Sequence, residues 1–142
     1  MPYPLSVLPD AELALIQYLR LIPEVIALVP AARVTTQLAP SPVYPVVLIS
    51  RAGGSPAVWQ ALDEPALQVD VLGDVTDKDG KAKCSLLMRT VAAAILAIAN
   101  DTVPEAVLSS AMEEVGPAWL PDTIPVPPIP RYVARFRVFM HK

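Results

Sequence analysis

The sequence predicts an α+β fold: an antiparallel or mixed β-sheet with a long hairpin, packed by an N-terminal helix and one long central helix. Three observations predict it. The chain carries seventeen prolines, yet none falls between Pro65 and Pro104, so a strand and a long helix can form there without a breaker. Within that window the apolar period changes from two, at Leu67, Val69 and Val71, to 3.6, at Cys84, Leu87, Met88, Val91, Ile95 and Ile98. The chain then closes on RYVARFRVFMHK, in which Tyr132, Ala134, Phe136, Val138 and Met140 share one face and Arg131, Arg135, Arg137 and His141 line most of the other.

Taken in order, residues 1–9 form an N-terminal extension. Asp10 is placed to cap a helix over 11–22, whose apolar positions Leu13, Ile16, Leu19 and Ile22 follow helical spacing. Pro23 breaks or kinks it, and EVIALV gives a further turn or two. RVTTQL (33–38) is a short strand rich in β-branched residues. Past the corner at Pro40, Pro42 and Pro45, VVLISR (46–51) is a second strand. AGGSP then has turn chemistry, with Gly53 and Gly54 free to adopt positive φ. The chain returns through Asp63-Glu64-Pro65, a hairpin corner, into ALQVDVLG (66–73), so 46–51 pairs with 66–72. A helix over 78–99 follows, then a strand over 106–122 with an irregular exit. TIPVPPIP (123–130), including Pro127 and Pro128, is too proline-rich for helix or ladder and reads as an extended polyproline-like arm. One domain over 1–142 accommodates all of this, with the proline-rich arm at 121–130 inside it.

Composition narrows the function classes. The apolar fraction is 54% and the mean hydropathy +0.46, a surplus over one small core that implies surface buried against other subunits. No apolar run is long enough to span a bilayer. MPYPLSVLPDAEL lacks the basic start of a secretory signal, so synthesis and assembly in a cytoplasm are expected. Cys84 is the single cysteine, which leaves neither an intrachain disulfide nor a thiolate cluster. With a net charge of −3, the chain has no global basic footprint for nucleic acid. Asn100-Asp101-Thr102 fits the glycosylation pattern but stands where a helix should end.

The stretch VLGDVTDKDGKAKC is the one that could hold a metal. Setting Gly80 at the sixth position of an EF-hand loop puts Asp77 and Asp79 at the third and fifth. Val75 and Leu86 then occupy the first and twelfth positions, where oxygen ligands belong. Asp74 and Asp77 are better explained as caps that accept hydrogen bonds at the start of the following helix, with the helix dipole favouring their charge. No metal or cofactor is expected. His141 has no nucleophile beside it, Gly53-Gly54 alone makes no phosphate loop, and nothing makes a case for an enzyme.

Two features exceed a purely structural account. Arg131, Arg135 and Arg137 share a strand face, to be solvated, paired with acids of a neighbouring subunit or aimed at phosphate. The proline-rich arm is flanked by Trp119 and Tyr132 and could lie across a neighbouring protomer.

The order of these elements, in particular YPVVLISRAGG, ALQVDVLGD leading directly into KAKCSLLMRTVAAAILAI, and the closing PRYVARFRVFMH, resembles the tail terminator proteins of long-tailed (siphovirus) bacteriophages and closely related neck proteins. The likeness runs from about residue 10 to 141 and rests on element order, without one specific motif. It implies a virion protein without catalytic activity, forming a homo-oligomeric ring, a hexamer. That ring caps the tail tube, ends its polymerisation and meets the head-side connector or stopper protein, while DNA passes through. Contacts between protomers or with partners would then fall at Gly53, Gly54, Trp59, Trp119, Pro127, Pro128, Arg131, Arg135 and Arg137. A head-to-tail stopper is the neighbouring alternative. A small cytoplasmic ligand-binding domain with a pocket at Trp59, Asp63 and Glu64 is the alternative from another class.

Overall fold

The computed structural model describes residues 5, 7–58 and 62–142. Asp10 stands at the N-cap of helix α1 (Ala11–Leu19), its side chain accepting from the Leu13 N–H at 3.2 Å. The helix is shorter than its periodicity suggests, and the stripe is shifted. Leu13 is exposed, while Ala11, Ala14, Leu15, Ile16, Tyr18 and Leu19 form the buried face. Pro23 opens the single turn α2 (Pro23–Ile26), where its missing N–H costs nothing. A 3-10 turn (Ala31–Arg33) leads into β1 (Val34–Thr35), two residues where the β-branched run promised six.

β2 (Val46–Val58) and β3 (Leu62–Leu72) form the long hairpin, paired from Val46–Leu72 to Val58–Leu62. It extends well beyond the expected 46–51. Gly53 and Gly54 do not turn the chain; they sit within β2 at a register shift, with φ of 120° and 87°. Glycine chemistry here makes a bulge, the other common use of positive φ in a strand. Asp63, Glu64 and Pro65 likewise belong to β3 and not to a corner. Trp59 lies outside the described residues.

The central helix α3 (Gly80–Leu96) buries Cys84, Leu87, Met88, Val91 and Ile95, with Ile98 just beyond its end, as the period of 3.6 requires. Asn100, at φ 53°, takes the left-handed conformation that asparagine tolerates and turns the chain into β4 (Asp101–Thr102). β5 (Val107–Trp119) and β6 (Arg131–His141) form a second long hairpin. The proline-rich segment between them is no extended arm. Asp122 and Ile129 exchange backbone hydrogen bonds at 2.9 Å, so the segment folds back as the closed end of this hairpin.

The six strands lie in the order β1-β2-β3-β6-β5-β4, with only the β1–β2 pair parallel. All three helices lie against one face. α1 contacts β1, β2 and β3, and α3 contacts β3, β5 and β6. Between them sits the core of Leu67, Val69, Val71, Ala134, Phe136 and Val138 from the two central strands, under Leu15, Leu87, Met88 and Ile95. Each large side chain buried there contributes roughly 1.5–3 kcal/mol. Tyr18 Oη donates to the Ala94 carbonyl at 2.6 Å and locks α1 to α3. No described helix is long and apolar enough to cross a membrane.

The bulge provides a sharp test. A Cβ on Gly54 would stand 2.3 Å from the Glu64 carbonyl oxygen, whereas one on Gly53 would meet nothing within 4 Å. Both positions carry the backbone strain of positive φ, about 1–3 kcal/mol for a non-glycine residue. Gly54→Ala is therefore expected to destabilise clearly more than Gly53→Ala in urea unfolding. Equal losses would show that the bulge adapts.

Candidate functional site

The face of the sheet away from the helices carries the arginines of β6, and the register shows what they meet. Arg137 lies between Ala66 of β3 and Met112 of β5; Arg135 lies between Gln68 and Val115. Acids stand within reach on both flanking strands. Arg137 Nη1 contacts Glu64 Oε1 at 3.1 Å, and its Nη2 contacts Glu114 Oε2 at 2.9 Å. The Glu64 hydrogen bond, and then the field of Glu114, hold this guanidinium above its ordinary pKa. Arg135 Nη2 donates to Gln68 Oε1 at 3.5 Å. Arg131 donates through Nε to the Leu120 carbonyl at 2.9 Å and stands 3.9 Å from Asp70 Oδ2. The partners expected from another subunit, or from phosphate, are thus supplied by the same sheet. A phosphate would have to displace carboxylates that already occupy Arg137. Being largely solvent-facing, these pairs order side chains more than they add stability.

At the hairpin margin lies an ion pair whose carboxylate alone is buried. Asp63 is fully buried, and Arg51 meets it through Nη1 at 2.8 Å and Nη2 at 3.0 Å. The two parallel bonds satisfy the fork geometry of a guanidinium and leave no room for a ligand. With Glu64 engaged by Arg137 as well, the pocket expected at Trp59, Asp63 and Glu64 loses two of its polar groups to internal pairs.

Neither Asp74 nor Asp77 caps α3. Asp79 holds the N-cap position without a side-chain bond. Asp74 Oδ1 accepts from the Thr76 N–H and hydroxyl at 2.9 and 2.7 Å, and Asp77 Oδ1 accepts from the Asp79 N–H at 2.8 Å. Both carboxyls are held below their usual range, Asp74 by the Thr76 hydrogen bonds and Asp77 first by its bond from Lys83. The acids shape successive tight turns one step ahead of the helix; a short side chain bonds the backbone two residues on more readily than it spans to the first helical turn. Among the described residues, no three acids, histidines or cysteines cluster to hold a metal ion.

At the far end of the second hairpin, Trp119 and Tyr132 stack at 5.2 Å between centroids, and Lys81 Nζ lies 4.5 Å above the Trp119 ring. This joins the hairpin to the start of α3. Beyond it the surface is apolar. Leu120 is about half exposed, and Ile124 and Val126 stand almost wholly in solvent, at 91% and 94%; Met112 and Val115, back along β5, are also half exposed. Pro127 and Pro128 lie in the same loop as Ile124 and Val126. Sequence reasoning singled out the prolines and missed the aliphatic residues between them. The signal was present: branched apolar side chains in a segment with no ladder to bury them. Glu64 and Glu114 were missed as partners of Arg137 because only strand order brings them together.

The clefts are shallow and fit no obvious chemistry. One of ≈ 450 Å³ lies between Tyr44, Asp74, Lys83 and Cys84. Another, of ≈ 580 Å³, runs along Ile22, Leu86, Arg89 and Ala93. Cys84 borders the first but is 1% exposed, and its Sγ donates to the Val71 carbonyl at 3.1 Å. Burial pushes its thiol up to about 11, far from a reactive thiolate.

The raised thiol has a consequence for alkaline stability. The unfolded chain ionises near pH 9 while the folded one keeps the proton to about 11, so stability present below pH 9 is lost as the pH rises through that window. The loss is expected to reach about 2–3 kcal/mol. Denaturant unfolding at pH 8.5 and 10.5 should show a smaller alkaline loss for Cys84→Ala than for the parent. Identical losses would mean that the thiol is not held protonated by its surroundings.

No family model and no curated protein sequence matches the chain. Among solved structures, it is similar to a chain of one described as "Virion of native gene transfer agent (GTA) particle". The TM-score is 0.61 at 18% identity, covering 93% of this chain and 95% of that one. At this identity the likeness shows a shared fold, running over nearly the full length of both chains.

Proposed function

We propose that this chain is a structural subunit of a phage-like virion, and that within it the protein forms a ring capping the tail tube. The observation that carries this is the near full-length likeness in fold to a chain of a gene transfer agent virion particle. The ring ends tube polymerisation and presents its other side to the head-side connector, with DNA passing through the hole. Its partners are copies of itself, most simply six in one ring, the tube protein and the connector.

The surface chemistry supports assembly over catalysis. The acids and the lysine that line the cleft at Cys84 are already hydrogen-bonded, and much of the polar face of the sheet is built of ion pairs already made. Large aliphatic side chains stand exposed: Leu120, Ile124 and Val126 at the end of the second hairpin, and Leu21, Ile26 and Leu96 on the helical side. Exposed aliphatic groups at both extremities suit a chain that buries them against neighbours. The net charge of −3 and the neutralised arginine face suit a passage that DNA crosses without tight binding.

Light scattering and negative-stain imaging of the purified protein, alone and with assembled tail tubes, test this reading. A particle of about six times the 15.2 kDa chain mass, or rings seated on tube ends, is expected. A monomer that leaves tube ends bare and growing overturns it.

A further inference from the structure

Among the described residues, both sides of the sheet end in strands that are largely without a neighbour. β1 covers the outer side of β2 only at Val47 and Leu48, and β4 covers β5 only at Val107 and Leu108. Beyond those short caps the outer edges are solvent-facing. Ser50 to Ser55 are all exposed, as are Ser110 and Met112 to Val115. The Arg51 N–H is taken by Glu12 Oε2 at 2.8 Å, and the Ser109 carbonyl accepts from Asn100. The Gly53 carbonyl accepts from Arg51 Nε at 3.0 Å; the edge donors and acceptors left between these bonds are a template for another strand.

The two edges complement each other in three respects. First, they have opposite sense. β2–β3, β3–β6 and β6–β5 are all antiparallel, so β5 runs antiparallel to β2, and a copy set beside this one continues the alternation. Second, the capping strands stand at opposite corners. β1 sits on the row that runs from Val47 through Val71 and Tyr132 to Trp119; β4 sits near the row from Pro56 through Asp63 and Met140 to Leu108. They leave a shared central window, Ser50–Ser55 on β2 and Ser110–Val115 on β5, about the length of an ordinary strand. Third, the chemistry of the windows fits. Met112 and Val115, half exposed, need cover at one edge, while Ser50, Gly53 and Gly54 at the other are small enough for a backbone to approach.

We infer that a second copy of this chain occupies each edge, the β5 window of one protomer pairing antiparallel with the β2 window of the next. The inference rests on the ring reading and names its joint. The contact is heterologous, since different surfaces meet, and repetition by rotation closes a ring. Register shifts lie in both windows, at Arg51/Gly54 and Glu113/Val115. Such bulges bend and twist a strand and so oppose flat, indefinite stacking.

The row Ser50–Gln68–Arg135–Val115 supplies the test, because it places Ser50 and Val115 on one level and one face of the sheet. Across a joint their Cβ atoms would stand at the separation of a cross-strand pair, within disulfide range. The variant carrying both Ser50→Cys and Val115→Cys, mildly oxidised, is expected to give a covalent ladder rising to the full ring on a non-reducing gel. Each single variant alone should give none, and the two mixed should stop at dimers. Native Cys84 is buried and serves as its own control. Rings by light scattering without a ladder overturn the edge pairing and leave the ring standing. Self-linking of one single variant shows a two-fold joint and overturns the pairing. A parent protein that is monomeric even with tube ends present overturns both readings. Should the double variant fail to fold, Val115→Lys reads the same joint. It is expected to be monomeric where the parent is a ring; a ring of unchanged mass overturns the proposal.

Discussion

The antiparallel pairing of β3 with β6 is the constraint on which the rest of the molecule depends. Its eight registered positions place Leu67, Val69 and Val71 beside Phe136, Ala134 and Tyr132 on one face. On the other face, Gln68 and Asp70 come beside Arg135 and Val133. The first face gives α1 and α3 an apolar floor; the second brings carboxylates within reach of arginines more than sixty residues away in sequence. Slipping the register by one residue would turn the arginines into the core and the apolar set into water. The two long hairpins inherit their alignment from this pair, and so do the sheet's two outer edges.

The arginine face shows how charge is handled without a ligand. Glu64 and Glu114 approach Arg137 from opposite sides, and Arg131 stands near Asp70, so two arginines meet three acids on one surface while Arg135 donates to Gln68. Such a lattice keeps the face hydrated and opposes face-on aggregation, and it leaves little field to attract a polyanion. Beside it, the Arg51–Asp63 pair, buried at its carboxylate and exposed at Arg51, lies where β2 departs from regular register. A buried carboxylate is tolerable only with such a partner, and removing Arg51 would leave Asp63 charged and dry.

Much of the fold was legible in the sequence because binary pattern determines it. The 3.6 period of α3 and the alternation of β6 appear in the structure with the buried residues expected, and Asp10 stands at the helix start where its type suggested. What was not legible depended on partners distant in sequence. Gly53 and Gly54 signal positive φ equally in a turn and in a bulge, and only the continued pairing to Val58 and Leu62 distinguishes them. Val34 and Thr35 form a strand of only two residues although β2 runs on well past them, which propensity cannot foresee. Proline content excluded a ladder over 123–130 but could not show that Asp122 and Ile129 pair around it. The arginine face was visible as a pattern; its neutralisation needed strand order.

A sheet whose arginines are largely engaged internally, and which leaves apolar side chains and edge backbone exposed, is suited to joining copies of itself. Backbone hydrogen exchange tests that account most directly, comparing the free subunit with the assembled particle. Amides of β3 and β6 should exchange slowly in both states, being buried and paired on each side. Of the amides in 110–115 and 52–55, those that point away from β6 and β3 should exchange quickly in the free subunit and become protected on assembly. Edge amides that are already slow in the free subunit, or that stay fast in the assembled particle, would contradict the account.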